Sequence, residues 1–137
     1  MDRAGLIAYV RSRGDAVVAT LGAEGEPQAA YLSLAATDTG ELVFDARPHS
    51  RKIVNLERDG RIAISVGGAD GTTLQCEGVA DLPAGAQLTR CTAAYLEQFP
   101  EFEQSMSEVV VVRVSVSWAR YGDYRDGRHE LENVELT

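Results

Sequence analysis

Apolar residues recur along this chain first at helical and then at strand spacing, and the switches between the two periods mark the elements. In the opening MDRAGLIAYVRSRG, Leu6, Ile7, Tyr9 and Val10 fall on one side of a short amphipathic helix that closes in Arg11-Ser12-Arg13-Gly14. From Ala16 the period becomes that of strands. AVVATL, the turn GAEGEP, QAAYLSLAAT, the turn DTG and ELVFDA predict three strands joined by two hairpins in an antiparallel meander. RPHSRKIVNLERDG returns to helical spacing, with Ile53 and Leu56 on the apolar side and Asp59-Gly60 as the stop. Ser50 is its expected N-cap, the hydroxyl accepting from an amide of the first turn. RIAISV, the glycine-rich turn GGADG and TTLQCEGVADL predict a further hairpin. Over residues 83–99, Leu88, Cys91, Tyr95, Leu96 and Phe99 form the core-packing stripe of a helix that Pro100 ends. In EVVVVRVSVSW, Val110, Val112, Val114, Val116 and Trp118 share one face of a strand, and Val109, Val111, Arg113, Ser115 and Ser117 share the other. The tail RYGDYRDGRHELENVELT is polar, with a weak alternation in Leu131, Val134 and Leu136.

These elements describe a mainly β chain of the α+β class: six to seven antiparallel strands in one nearly closed barrel with flanking helices. Closure follows because it removes exposed strand edges. The 137 residues, 45% hydrophobic and 25% charged, are enough to bury a core as one domain over 1–137, and no internal repeat is visible. Charges at Asp2, Arg3, Arg11 and Arg13 interrupt the N-terminus, so neither a signal peptide nor a membrane span is expected, and the predicted location is the cytoplasm. The formal net charge of −8 argues against a duplex nucleic-acid surface, which needs an extended basic face. Cys76 and Cys91 show no metal-ligand or disulfide spacing and are expected as buried free thiols.

Against that acidic background, Arg47, His49, Arg51 and Lys52 crowd the start of the middle helix. That end of a helix already carries about half a positive charge, so cations there lose roughly 0.3–1 kcal/mol each unless an anion arrives. A phosphate site is one reading. The other is a solvated face in which Arg51 and Lys52 pair with Glu57 or with acids elsewhere, worth about 0–1 kcal/mol. Periodicity does not decide between them. No serine lies in a nucleophile elbow, the two histidines are far apart in sequence, and no metal site is expected.

Strand, FDARPHSRKIVNL, GRIAISV and TTLQCEGVADL together resemble the flavin-binding split-barrel family related to pyridoxamine 5′-phosphate oxidase, in order and spacing, over roughly residues 5 to 120. The resemblance implies that the barrel is split, and that Ser50, Arg51 and Lys52 hold the phosphate of FMN. Asn55-Leu56 also fits the family's pattern. On the strand that runs into Gln75-Cys76-Glu77-Gly78, Thr73 and Gln75 are the implied flavin contacts, and the flat ring is expected along Tyr31, Leu32, Ser33 and Phe44. It also implies a homodimer in which two chains share each cofactor, with the valine-rich strand, Trp118 and the tail at the interface. Two departures stand out. Four positions before Ser50 the family usually carries a threonine, and here Ala46 takes its place, a contact worth about 0.5–1.5 kcal/mol. The C-terminus lacks the arginine- and histidine-bearing pattern of the true oxidase, Arg128 and His129 apart. The expectation is therefore an FMN oxidoreductase acting on a small-molecule substrate with a reduced nicotinamide, not vitamin oxidation. The alternatives are a deazaflavin-dependent reductase, or a non-catalytic flavin- or haem-binding protein.

Overall fold

The computed structural model describes residues 1–137 and runs α1 (Arg3–Arg13), β1 (Asp15–Leu21), β2 (Pro27–Ser33), β3 (Ala35–Ala36), β4 (Leu42–Ala46), α2 (Arg51–Arg58), β5 (Arg61–Gly67), β6 (Thr72–Asp81), α3 (Gly85–Gln98), β7 (Val110–Asp123) and β8 (Glu130–Asn133). A 3-10 segment over Pro100–Glu108 separates α3 from β7. It was not foreseen, since its sequence shows no single period. Helix α1 starts at Asp2, whose carboxylate accepts from the Gly5 amide. It ends at Gly14, whose φ of 77° is the left-handed conformation that glycine adopts without strain. Its face of Leu6, Ile7, Tyr9 and Val10 covers the barrel core formed by Val18, Leu34, Phe44, Ile64, Val66, Leu74 and Val112.

The strands form one antiparallel sheet in the order β2-β1-β5-β6-β7-β4-β3, with β8 added to β7. This corrects the expected three-strand meander. The segment QAAYLSLAAT breaks at the fully buried Leu34: its first half pairs with β1 and its second with β4. The two halves thus lie at opposite ends of the sheet order, and β2 has β1 as its only strand partner. The curled sheet stays open between β2 and β4, so the split is a consequence of one interrupted strand.

A second correction concerns β7. The β6–β7 register shifts between Glu77 and Gly78, so that Glu77 faces Trp118 while Gly78 faces Val116. The extra residue turns Trp118 off the face it would share with Val116 and onto the outer side of the sheet. There the Arg120 guanidinium lies 5.3 Å from the Trp118 ring centre. Gly78 is required at this point: a Cβ there would meet the Ser115 carbonyl oxygen at 2.2 Å.

Behind β4, α3 and the 3-10 segment bury a smaller cluster of Ala35, Val43, Cys91, Tyr95 and Val111, with Phe99 and Phe102 against it. Of the stripe predicted for α3, Cys91 and Tyr95 are buried and Leu88 is exposed. No helix is long and apolar enough to cross a membrane.

Candidate functional site

Ser50 adopts extended angles (φ −66°, ψ 156°) and its carbonyl accepts from the Val54 amide, so α2 begins where the sequence places it. Ile53 and Leu56 anchor the helix in the core. At its far end the Asp59 carboxylate grips the Arg61 side chain, closest at 2.6 Å, and is held at about 2 by that interaction. One expectation fails. The Ser50 hydroxyl caps no amide; its Oγ is buried and has no hydrogen-bond partner. A buried polar atom left so costs roughly 1–3 kcal/mol.

Arg51 and Lys52, the first two residues of α2, line a cleft of about 220 Å³ whose other walls are Thr20, Gln28, Ala29 and Ala30. Neither makes an ion pair within the chain; the salt bridge of this region is Arg47 to Glu108 at 3.9 Å, between two exposed side chains. The pairing of the two cations with Glu57 or other acids, one of the two readings of the sequence, is absent. The basic cluster is also divided. Arg47 turns to a second cleft of about 260 Å³, lined by Leu32 and Ser33 of β2, Asp45 of β4, and Tyr95, Phe102 and Ser105. His49 is exposed and lines neither cleft. In the second cleft the Tyr95 hydroxyl is pushed far above its ordinary range, first by burial and then by the Asp45 carboxylate.

The open edge of β2 therefore connects two clefts, one cationic at Ala29-Ala30 and one mixed at Leu32-Ser33. The other sequence-predicted residues lie elsewhere. Phe44 has no exposed surface and its side chain belongs to the core, which leaves only its main chain to face a ring. Tyr31 is 71% exposed on the outer face, and its hydroxyl donates to Asp15. Thr73 and Gln75 sit on β6, three places from β2 in the sheet order, and neither lines the cleft of Arg51 and Lys52. Gln75 instead lies in an outer row running Tyr31, Val17, Ser65, Gln75, Arg120 across five strands. Beside this row Ala19, Ala63 and Glu77 floor two shallow hollows of about 450 and 340 Å³, the smaller of them bounded by Trp118. Cys76 is buried, as expected, and burial pushes its thiol up to about 12, which leaves it unreactive as a nucleophile.

Sequence reasoning missed Thr20 and Gln28, which complete the cationic cleft. The signal available was a hydroxyl on the inward-facing phase of an otherwise apolar strand, Ala16-Val18-Thr20, and it was weak.

Comparison with known proteins settles the class. Residues 8–122 match the family described as pyridoxamine 5'-phosphate oxidase, and the chain belongs to that family. Among solved structures it is similar to a conserved hypothetical protein from Mycobacterium tuberculosis at 28% identity, with a TM-score of 0.75 over 91% of this chain and 86% of that one. It also shares the fold of a heme binding protein from Mycobacterium smegmatis, at 20% identity and a TM-score of 0.78 over 99% of this chain. The chain spans 59% of that protein's length. A third likeness is to HutZ, the heme storage protein from Vibrio cholerae, at 18% identity and a TM-score of 0.70 over 85% of this chain and 92% of that one. No curated protein matches the sequence significantly.

Proposed function

We propose that the chain binds FMN at the split between β2 and β4 and acts as an oxidoreductase between a reduced nicotinamide and a small acceptor. The observation that carries this reading is the start of α2: a buried Ser50 hydroxyl without a partner, next to two cations without a carboxylate. A dianion supplies what all three lack, and the helix N-terminus favours it further. Ser50, Arg51 and Lys52 are the phosphate residues, and Leu32 and Ser33 the wall for the ring. When bound, the flavin supplies the hydride and electron chemistry. The chain's part is to anchor the phosphate, orient the ring against β2 and keep water from it with the apolar side of the split.

Thr73 and Gln75 enter this reading only through a second copy. The outer sheet face bears Val17, Ala19, Ala63, Val79 and Trp118, small and apolar side chains of the kind that pack against another chain. We infer a homodimer through that face, in which these two residues of one copy serve the cofactor of the other.

Haem binding is the second reading, supported by the two neighbours whose names state haem binding or storage. Visible absorption of the purified chain separates the readings. Yellow protein with the two flavin bands, bleached by reduced nicotinamide under anaerobic conditions, is expected. A red protein indicates haem; a colourless one that quenches added deazaflavin indicates that cofactor. A bound flavin that reduced nicotinamide fails to bleach means a binder without catalysis.

A further inference from the structure

The geometry points to Thr20 as a further phosphate-anchoring residue, with Asn55 as the residue that positions it; this rests on the flavin reading above. Asn55 is 5% exposed, on the same buried face of α2 as Ile53 and Leu56, where an apolar side chain would pack without desolvating an amide. Its Nδ2 donates to Thr20 Oγ1 and to Gln28 Oε1, each at 2.9 Å. Its Oδ1 accepts from Arg58 at 3.1 Å. A guanidinium only donates, so the Arg58 contact fixes which end of the amide faces the strands. Thr20 and Gln28 are cross-strand partners in the β1–β2 register. Both line the cleft that Arg51 and Lys52 line from the other side. Asn55 therefore fastens the cationic turn of α2 to the opposite wall at the pair of residues that forms that wall.

The same bond leaves Thr20 with an unspent donor. Its Oγ1 accepts from Asn55, so the hydroxyl hydrogen points elsewhere, and Thr20 donates to no group of the chain. At 2% exposure it has little water to turn to. A hydroxyl donor, nearly fully buried, beside two cations that lack a carboxylate, fits a phosphate oxygen. It also answers the departure at Ala46. That residue is buried and carries no hydroxyl, so β4 offers no such donor to the site, whereas β1 does.

The test is a fluorescence titration of the purified chain with FMN and with riboflavin, which lacks the phosphate. Thr20→Val is expected to weaken FMN five- to twentyfold and riboflavin less than twofold. Thr20→Ser should stay within threefold of the original for both. Asn55→Leu should reduce the preference for FMN over riboflavin without weakening riboflavin, which a merely stabilising residue would not do. An unchanged preference in Thr20→Val, while Arg51→Ala with Lys52→Ala loses it, overturns the role of Thr20 and leaves the flavin reading standing. No change in any of these variants overturns both. Should Thr20→Val fail to fold, amide spectra of the original 15N-labelled chain decide. The Asn55 side-chain NH2 and the Thr20 amide are expected to shift with FMN and not with riboflavin, and resonances that stay in place contradict the proposal.

Discussion

The most informative single atom in the chain is Ser50 Oγ. A serine at an N-cap ordinarily stabilises its helix through its hydroxyl, and this one does not, although the backbone is in place for it. Without a ligand the hydroxyl is therefore a cost, and Ser50→Ala should leave thermal stability of the flavin-free chain unchanged or slightly raised. The same variant should weaken FMN about three- to tenfold. A clear loss of flavin-free stability, read by a thermal melt, would show that the hydroxyl caps the helix after all. The Ser50-Arg51-Lys52 triplet was legible in the sequence because it is contiguous. Thr20 was not, because an inward hydroxyl in AVVATL looks like ordinary packing until Asn55, thirty-five residues on, is seen to hold it.

At the level of elements, the periods located the helices and strands well, and what escaped them were interruptions. QAAYLSLAAT keeps an apolar pattern through Leu34, so nothing in it announces that its two halves pair with different neighbours. The open edge of β2, on which both clefts lie, follows from that break. In β7 the alternation continues smoothly through Val116 and Trp118, and the bulge that separates them depends on Gly78 of the facing strand. Gly78→Ala should accordingly destabilise the chain by about 1–3 kcal/mol, the usual cost of overpacking a tight contact. Urea denaturation checks it, and a midpoint equal to the original would show that the bulge relaxes around a side chain.

For the whole molecule, charge and assembly matter most. Asp70 is held at about 2, chiefly by Thr72 and then by Arg13, and Asp59 at about 2 by Arg61. Asp123, gripped by Arg125, lies lower still. Each is depressed in the folded state, so its contribution is complete above the unfolded value near 3.8 and is lost as pH falls toward the folded one. At 0.15 M salt the urea midpoint should therefore fall between about pH 4 and pH 2; a rise over that interval would contradict the sign. The curled antiparallel sheet with flanking helices was readable from strand count and spacing. The outer face proposed above as a dimer contact was not, since half of any such site would belong to a second copy. The central claim concerns the cationic cleft, and one comparison tests it most directly: equilibrium binding of FMN and of riboflavin to the flavin-free chain, before and after Arg51→Ala with Lys52→Ala. The account predicts at least a tenfold loss for FMN and almost none for riboflavin; equal losses for both, or none for either, would contradict it.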